Sequence, residues 1–281
     1  MDISQILKFK QDQEFSKLLH HDNYIDLTTA ALELARDDQP DLQFEPVLIW
    51  IRSRACELSG RVALANDDRS LVQCFVDGLA KQHGLMGNAT CYHQPDGSYL
   101  NRVIETRQGL PISLSLIYMA VGKELGIDIQ GVAAPIQFLV RYESHAGPLF
   151  IDPYAKGAIY NEQECIERLG ELGDFPRNQL IRLLKPASHR EIIVRMLMNL
   201  KRIHEEQQDY QRAWNVQRRL LALNPLSNTH KKDLAALSFK TRQLSLAVEL
   251  LNSCLKSCPV SEQDDIQLML QKVHAELAKW N

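Results

Sequence analysis

Apolar residues recur at three- and four-residue spacing through most of the first 88 positions, the pattern of helices that bury one face. Residues 12–34, 44–64 and 70–79 each carry it, and the middle stripe reads Phe44, Val47, Leu48, Ile51, Ala55, Leu58, Val62. Ser70 is expected to cap the third helix and Gly84 to stop it. From Gly109 the pattern changes. Leu110-Pro111 precedes an apolar helix over 112–125 that Gly126 closes; proline suits the first turn, where its missing N–H would have no partner anyway. Two strand-like runs follow, 137–142 and 149–151, and Ser144-His145-Ala146-Gly147 between them is turn chemistry, so a β-hairpin is expected. Residues 162–184 return to a helical pattern broken in the middle by glycine and proline, and Lys185-Pro186 makes a natural boundary.

The last hundred or so residues repeat themselves. Leu200, Tyr210, Ala213 and Pro225 recur as Leu234, Leu244, Ala247 and Pro259, each pair offset by 34 residues. A fixed period of this length marks stacked supersecondary units. Period and placement resemble the tetratricopeptide repeat, in which a small residue early in the second helix lets two helices approach closely. Ala213 and Ala247 hold that place, and the prolines end each second helix. The first helix departs from the family: its small residue is Lys201 in the first repeat, though Ala235 in the second. Residues 262–280 are expected to form a capping helix. Two repeats and a cap sit at the lower limit of independent stability, because such units bury one another's faces. The segment is therefore expected to lean on the N-terminal domain, either as a packing buttress or as a groove for a peptide.

In the middle of the chain, a glycine, a proline-started helix, Leu125-Gly126-Ile127 and a hairpin ending in Ile151-Asp152-Pro153 resemble the transglutaminase-like fold. The resemblance is nearer to one branch, the SirB-type family with C-terminal tetratricopeptide repeats. Ser98-Tyr99-Leu100-Asn101, Gly109-Leu110-Pro111-Ile112-Ser113-Leu114-Ser115, Gly131-Val132, Phe138-Leu139-Val140-Arg141 and Ile151-Asp152-Pro153-Tyr154 carry it. It implies a papain-like core with a cysteine at a helix N-terminus, where backbone N–H groups and the helix dipole lower the thiol pKa. A histidine base and an orienting aspartate would complete the triad.

Aligned on Gly126-Ile127, the nucleophile position falls on Pro111, the base on Gln137 and the orienting acid on Asp152. Proline has no nucleophile, and glutamine cannot take up a proton near neutral pH. Cys91 lies 20 residues before Pro111, in a different element. Ser113 and Ser115 are fallback nucleophiles, but serines near a helix start usually cap or pack, and a hydroxyl without a base is weak. His145 stands eight residues beyond Gln137, which is about 26 Å of extended strand, far outside proton-transfer reach. Nothing in the sequence places His93 against Asp152. Asp152 itself is also an ordinary turn start. Ser98, Asn101, Gly109, Arg141 and Tyr154 are assigned to the cleft or its structural support.

Composition narrows the partners. The net charge of −3 over 281 residues leaves no basic footprint for nucleic acid. No apolar run approaches the roughly 20 residues that span a bilayer, MDISQILKFKQDQ is no signal peptide, and the six cysteines form no CxxC pair. These features point to a cytoplasmic chain with reduced thiols. His20-His21-Asp22 reads as a solvated surface, and Cys254 and Cys258 as core residues one helical turn apart rather than metal ligands. No P-loop or GxGxxG is present, so neither metal nor cofactor is expected. The fold class expected is α+β: residues 1–185 a helical region with a transglutaminase-like core and small antiparallel sheet, residues 186–281 a helical repeat stack. The expected function is a non-catalytic regulatory protein that binds an unidentified protein or peptide. The alternative is a hydrolase or amide transferase with a non-standard nucleophile.

Overall fold

The computed structural model describes residues 3–22 and 24–279. Contacts divide the chain into two compact units, one of Ile25–Met196 and one of Met1–Tyr24 with Leu197–Asn281. The division by contacts differs from the boundary expected at 185/186: it falls inside a long helix, and residues 3–22 group with the repeats.

Two short helices, α1 (Ile3–Ile6) and α2 (Gln13–Leu19), open the chain. The helical pattern over 12–34 is two helices, since α3 (Leu27–Ala35) starts afresh where the Asp26 carboxylate accepts the Thr29 N–H at 2.8 Å. Apolar spacing continued through that break, while the capping aspartate marks it. The expected stripe forms α4 (Glu45–Ala63), with Val47, Ile51, Ala55 and Leu58 buried. In α5 (Asp68–Val76) the cap is Asp67, not Ser70. Asp67 accepts the Ser70 N–H at 2.7 Å and the Ser70 hydroxyl returns to the Asp67 N–H at 3.1 Å, a reciprocal capping box. A π-helical turn, Asp77–Gln82, prolongs it to the stop at Gly84, whose φ is +69°.

Beyond it, β1 (Met86–Gly87) pairs in parallel with β2 (Gln108–Gly109), which is separated from it by two 3₁₀ turns and α6 (Leu100–Thr106). Helix α7 (Pro111–Glu124) is apolar almost all round and buried along nearly its whole length, as expected of a helix packed on every side. Four antiparallel strands follow in chain order: β3 (Ile129–Val132), β4 (Leu139–Ser144), β5 (Gly147–Asp152) and β6 (Ala158–Asn161). The hairpin turns at Ser144–Gly147 as expected, with Gly147 at φ +111°. Gln137 and Phe138 were expected inside its first strand and lie before it. There Ile136 takes φ +64° and the Gln137 N–H donates to the Pro135 carbonyl at 2.7 Å, a three-residue turn that strand periodicity does not reveal. Helices α8 (Glu162–Glu171) and α9 (Arg177–Leu183) cover the sheet, placing Cys165, Ile166, Leu169 and Leu180 against Val132, Leu139 and Phe150.

The other unit is helical: α10 (His189–Glu206, which it shares with the first unit), α11 (Tyr210–Leu223), α12 (Asn228–Lys240), α13 (Leu244–Leu255) and α14 (Val260–Leu277). Ala213 and Ala247 are fully buried, and Leu200, Leu234 and Leu244 are buried with them. The backbone repeats as well. Gln208 and Arg242, one period apart, both take a left-handed conformation just before the second helix of their pair. Lys201, where the family has a small residue, reaches Asp233 on α12 at 2.5 Å instead of packing. The cover of the stack comes from the chain's beginning: Ile6, with Ile3 and Leu7, packs into the same apolar core as Ala213, Leu234 and Ile266. Arg219, buried on α11, pairs with Asp12 at 2.8 Å, and its guanidinium lies 4.7 Å from the Phe9 ring centroid and 4.8 Å from that of Phe15.

Candidate functional site

The site is built where α7 begins. Leu110 is extended and its N–H donates to the Gly97 carbonyl at 2.9 Å; Pro111 then opens the helix, buried. The same carbonyl accepts the Ser113 hydroxyl at 2.6 Å. Two residues on, the Ser115 hydroxyl donates to the Phe138 carbonyl at 3.4 Å. Both serines are fully buried. Their hydroxyls therefore tie α7 to the 97 loop and to the turn that carries Gln137, which are structural tasks.

Cys91 is closer to this corner than sequence separation implied. A Cβ on Gly97 would stand 2.5 Å from the Cys91 Cβ, so the 3₁₀ turn Ala89–His93 lies against the loop that holds α7. The thiol is nonetheless a poor nucleophile. It is buried, and burial first, then Asp96, push its pKa above the ordinary value, the reverse of a reactive cysteine. Tyr154 packs in the same corner, edge-on to Tyr92 with ring centroids 5.9 Å apart. Gly87 permits this, since a Cβ there would come within 2.2 Å of the Tyr154 ring.

Gln137 is half-buried, and its Oε1 is enclosed without a protein partner. Asp152, at the end of β5, is buried at 3 % exposure; its Oδ1 accepts the Ala155 N–H at 3.0 Å and its Oδ2 lies 3.9 Å from Arg168. Burial raises its pKa, with the Ala155 N–H and Arg168 opposing. The groups coupled to Asp152 went unnoticed in the sequence. Tyr118 on α7 has a buried hydroxyl without a partner, and burial followed by Asp152 raises its pKa. Cys165 is pushed to about 12 by burial and then Asp152. Tyr118 could have been found: Pro111, Ser115 and Tyr118 fall at i, i+4 and i+7, on one helix face.

The remaining assigned residues are structural in their contacts. Arg141 pairs with Glu143 at 2.6 Å and donates to the Leu184 carbonyl at 3.3 Å. Asn101 donates to Gln39 at 2.7 Å, Ser98 is buried, and Gly109 is required because a Cβ would meet Val103 at 2.9 Å. His145 is exposed at the hairpin tip, where its backbone N–H and Nδ1 both reach Asp68 at 2.7 Å. His93 is exposed at the end of its 3₁₀ turn. Cys254 is fully buried and Cys258 half-buried. Among the described residues no group of three or more His, Cys, Asp or Glu is placed to hold a metal ion, and no helix is long and apolar enough to cross a membrane.

This arrangement agrees with what the chain is similar to. The model of the transglutaminase-like superfamily matches residues 45–198, and that of the tetratricopeptide repeat matches residues 200–273. A UPF0162 protein of Xylella fastidiosa (strain 9a5c) is 36% identical over 217 residues, covering 73% of this chain and 74% of that one. Protein SirB1 of Salmonella typhimurium is 24% identical over 224 residues, 76% of this chain and 81% of its own. Human F-box only protein 21 shares 30% identity over 101 residues, 33% of this chain but 16% of that much longer protein. With a proline-started central helix, a four-stranded antiparallel sheet and a C-terminal stack of paired helices matched on both counts, the chain belongs to the transglutaminase-like superfamily, as a SirB-type member with C-terminal tetratricopeptide repeats.

Proposed function

We propose that this chain is a non-catalytic, cytoplasmic regulatory protein whose degenerate cleft and helical repeats bind a segment of another protein. The observation that carries the reading is the corner where α7 begins. By the family resemblance, Pro111 takes the nucleophile's place and Gln137 the base's, and the nearby hydroxyls of Ser113 and Ser115 are consumed by backbone carbonyls. Cys91, beside that corner, has its pKa pushed up by burial. Nucleophile and base act as a unit in acyl transfer, so losing both removes the chemistry rather than weakening it. What remains is a buried polar scaffold on α7 and a repeat stack of the kind that holds peptides. Met198 on α10 and Leu268 on α14 are exposed apolar positions available for such a contact.

The test is a turnover assay of the purified chain with peptide amide and glutamine-donor substrates, before and after alkylation of its cysteines. No turnover above the buffer rate is expected in either sample. Turnover abolished by alkylation, and equally by Cys91→Ser, would overturn the reading and make Cys91 the nucleophile. Turnover that survives alkylation and is lost in Ser113→Ala or Ser115→Ala would overturn it in favour of a serine hydrolase.

A further inference from the structure

Away from the α7 corner, Trp50, Arg54 and Glu57 stand at successive turns of α4. Two unusual pieces of backbone bring further side chains to them. The π-helical turn Asp77–Gln82 delivers His83, and Arg107, left-handed at φ +64°, delivers a second guanidinium. Such turns and such non-glycine residues are uncommon and concentrate at functional sites. The Arg54 and Arg107 Cζ atoms lie 5.4 Å and 5.2 Å from the Trp50 ring centroid, and the His83 ring meets the indole edge-on at 6.1 Å.

The charges in this cluster do not balance. Glu57 is its one carboxylate: Oε1 accepts from Arg54 at 2.6 Å and Oε2 from His83 Nε2 at 3.0 Å. Arg54 also donates to His83 Nδ1 at 3.2 Å. A guanidinium can only donate, so the imidazole proton sits on Nε2. Burial first, then Arg54, lower the His83 pKa, which favours the neutral ring. Two guanidiniums against one carboxylate leave a single positive charge. It rests on Arg107, for which no described residue supplies a carboxylate and whose pKa is pressed down by burial and by Arg54. Three N–H donors, Trp50 Nε1, Arg54 Nε and Arg107 Nη1, are enclosed without a protein acceptor. Unpaired charge and unsatisfied donors both oppose folding, and a bound anion would offset both.

We propose that Trp50, Arg54 and Arg107 form an oxyanion site that takes a phosphoryl group. The free donors belong to three side chains on two segments, and both guanidiniums lie within 5.4 Å of the one indole centroid, a set better matched to the several oxygens of a tetrahedral phosphate than to a single planar group. A planar carboxylate is served by the edge of one guanidinium, and these donors do not share one. The site goes beyond the interaction reading above and does not depend on it.

Calorimetric titration of the intact protein tests this, with inorganic phosphate as the probe at constant ionic strength and with acetate and a phosphoserine peptide as further arms. Saturable phosphate binding is expected, weakened about tenfold or more by Arg107→Asn, since asparagine tolerates the left-handed backbone. Arg102→Gln, outside the cluster, is expected to bind as the parent does. A peptide that binds more tightly than free phosphate assigns the phosphoryl group to a protein, and equal affinities assign it to the free ion; either supports the site. Absence of saturable phosphate binding, an equal response to acetate, or unchanged affinity in a folded Arg107→Asn overturns it. Should that variant not fold, Trp50→Phe, which removes one donor and keeps an aromatic ring, decides the matter by the same loss or retention of affinity.

Discussion

Asp152 is a buried carboxyl with little to offset its enclosure. Its carboxyl is enclosed, accepts the Ala155 N–H at 3.0 Å and has Arg168 only at 3.9 Å, so burial dominates and its pKa stands above the ordinary 3.8. A carboxyl whose folded pKa is raised favours folding fully below its unfolded value, and that contribution is lost as pH rises through the folded value. At neutral pH the charged form therefore works against the fold. Asp152→Asn keeps an acceptor for Ala155 and removes the charge. Relative to the parent, the variant is expected to gain stability between about pH 4 and about pH 7, read from urea melts at both ends. An equal difference at the two pH values would mean that burial does not govern this carboxyl.

At the scale of elements, the paired helices offer the sharpest contrast. Ala213 and Ala247 are fully buried in one apolar core with Leu234 and Leu250, and Trp214 beside Ala213 donates its indole N–H to Ser238 on α12 at 2.9 Å. A larger side chain at Ala213 has no space to enter. Ala213→Leu should over-pack the contact and lower stability by about 1–3 kcal/mol, whereas Gln211, exposed two residues earlier, should tolerate alanine with little change. Thermal melts of the two variants separate them. Equal and negligible shifts would show that the helices do not close on Ala213.

For the molecule as a whole, the telling feature is where the repeat stack finds its cover. Repeat units bury one another's faces, and two pairs with a cap leave an apolar end open. Ile3, Ile6 and Leu7 pack into that core, and the buried pair of Asp12 with Arg219 anchors the segment beside Phe9 and Phe15. Removing residues 1–22 should therefore expose this core and take the Asp12 carboxylate away from Arg219, and breaking a buried ion pair is strongly destabilising. Amide hydrogen exchange is expected to accelerate across α11–α13 in the shortened chain while α7 and β3–β6 keep their protection. Unchanged protection in α11–α13 would mean that the repeats bury their own faces.

Local order and internal repetition were legible in the sequence itself. The stripe from Val47 to Leu58, the proline start of α7, the Gly147 turn and the 34-residue offset of Ala213 and Ala247 each follow from period, backbone restriction or self-similarity, and all act over a few residues or one repeat. The family resemblance, and the presence of proline at 111 and glutamine at 137, were legible for the same reason, because residue identity at a position is local information. Only the tertiary structure decided which distant groups meet. It brought Cys91 against the loop that holds α7, set Gln137 in a tight turn before its strand, sent residues 3–22 to the repeats, and gathered Trp50, Arg54, His83 and Arg107 around one unbalanced charge. Those outcomes depend on burial, on long-range packing and on left-handed backbone at Ile136 and Arg107. Such terms arise between segments far apart in the chain, and no periodicity along it records them.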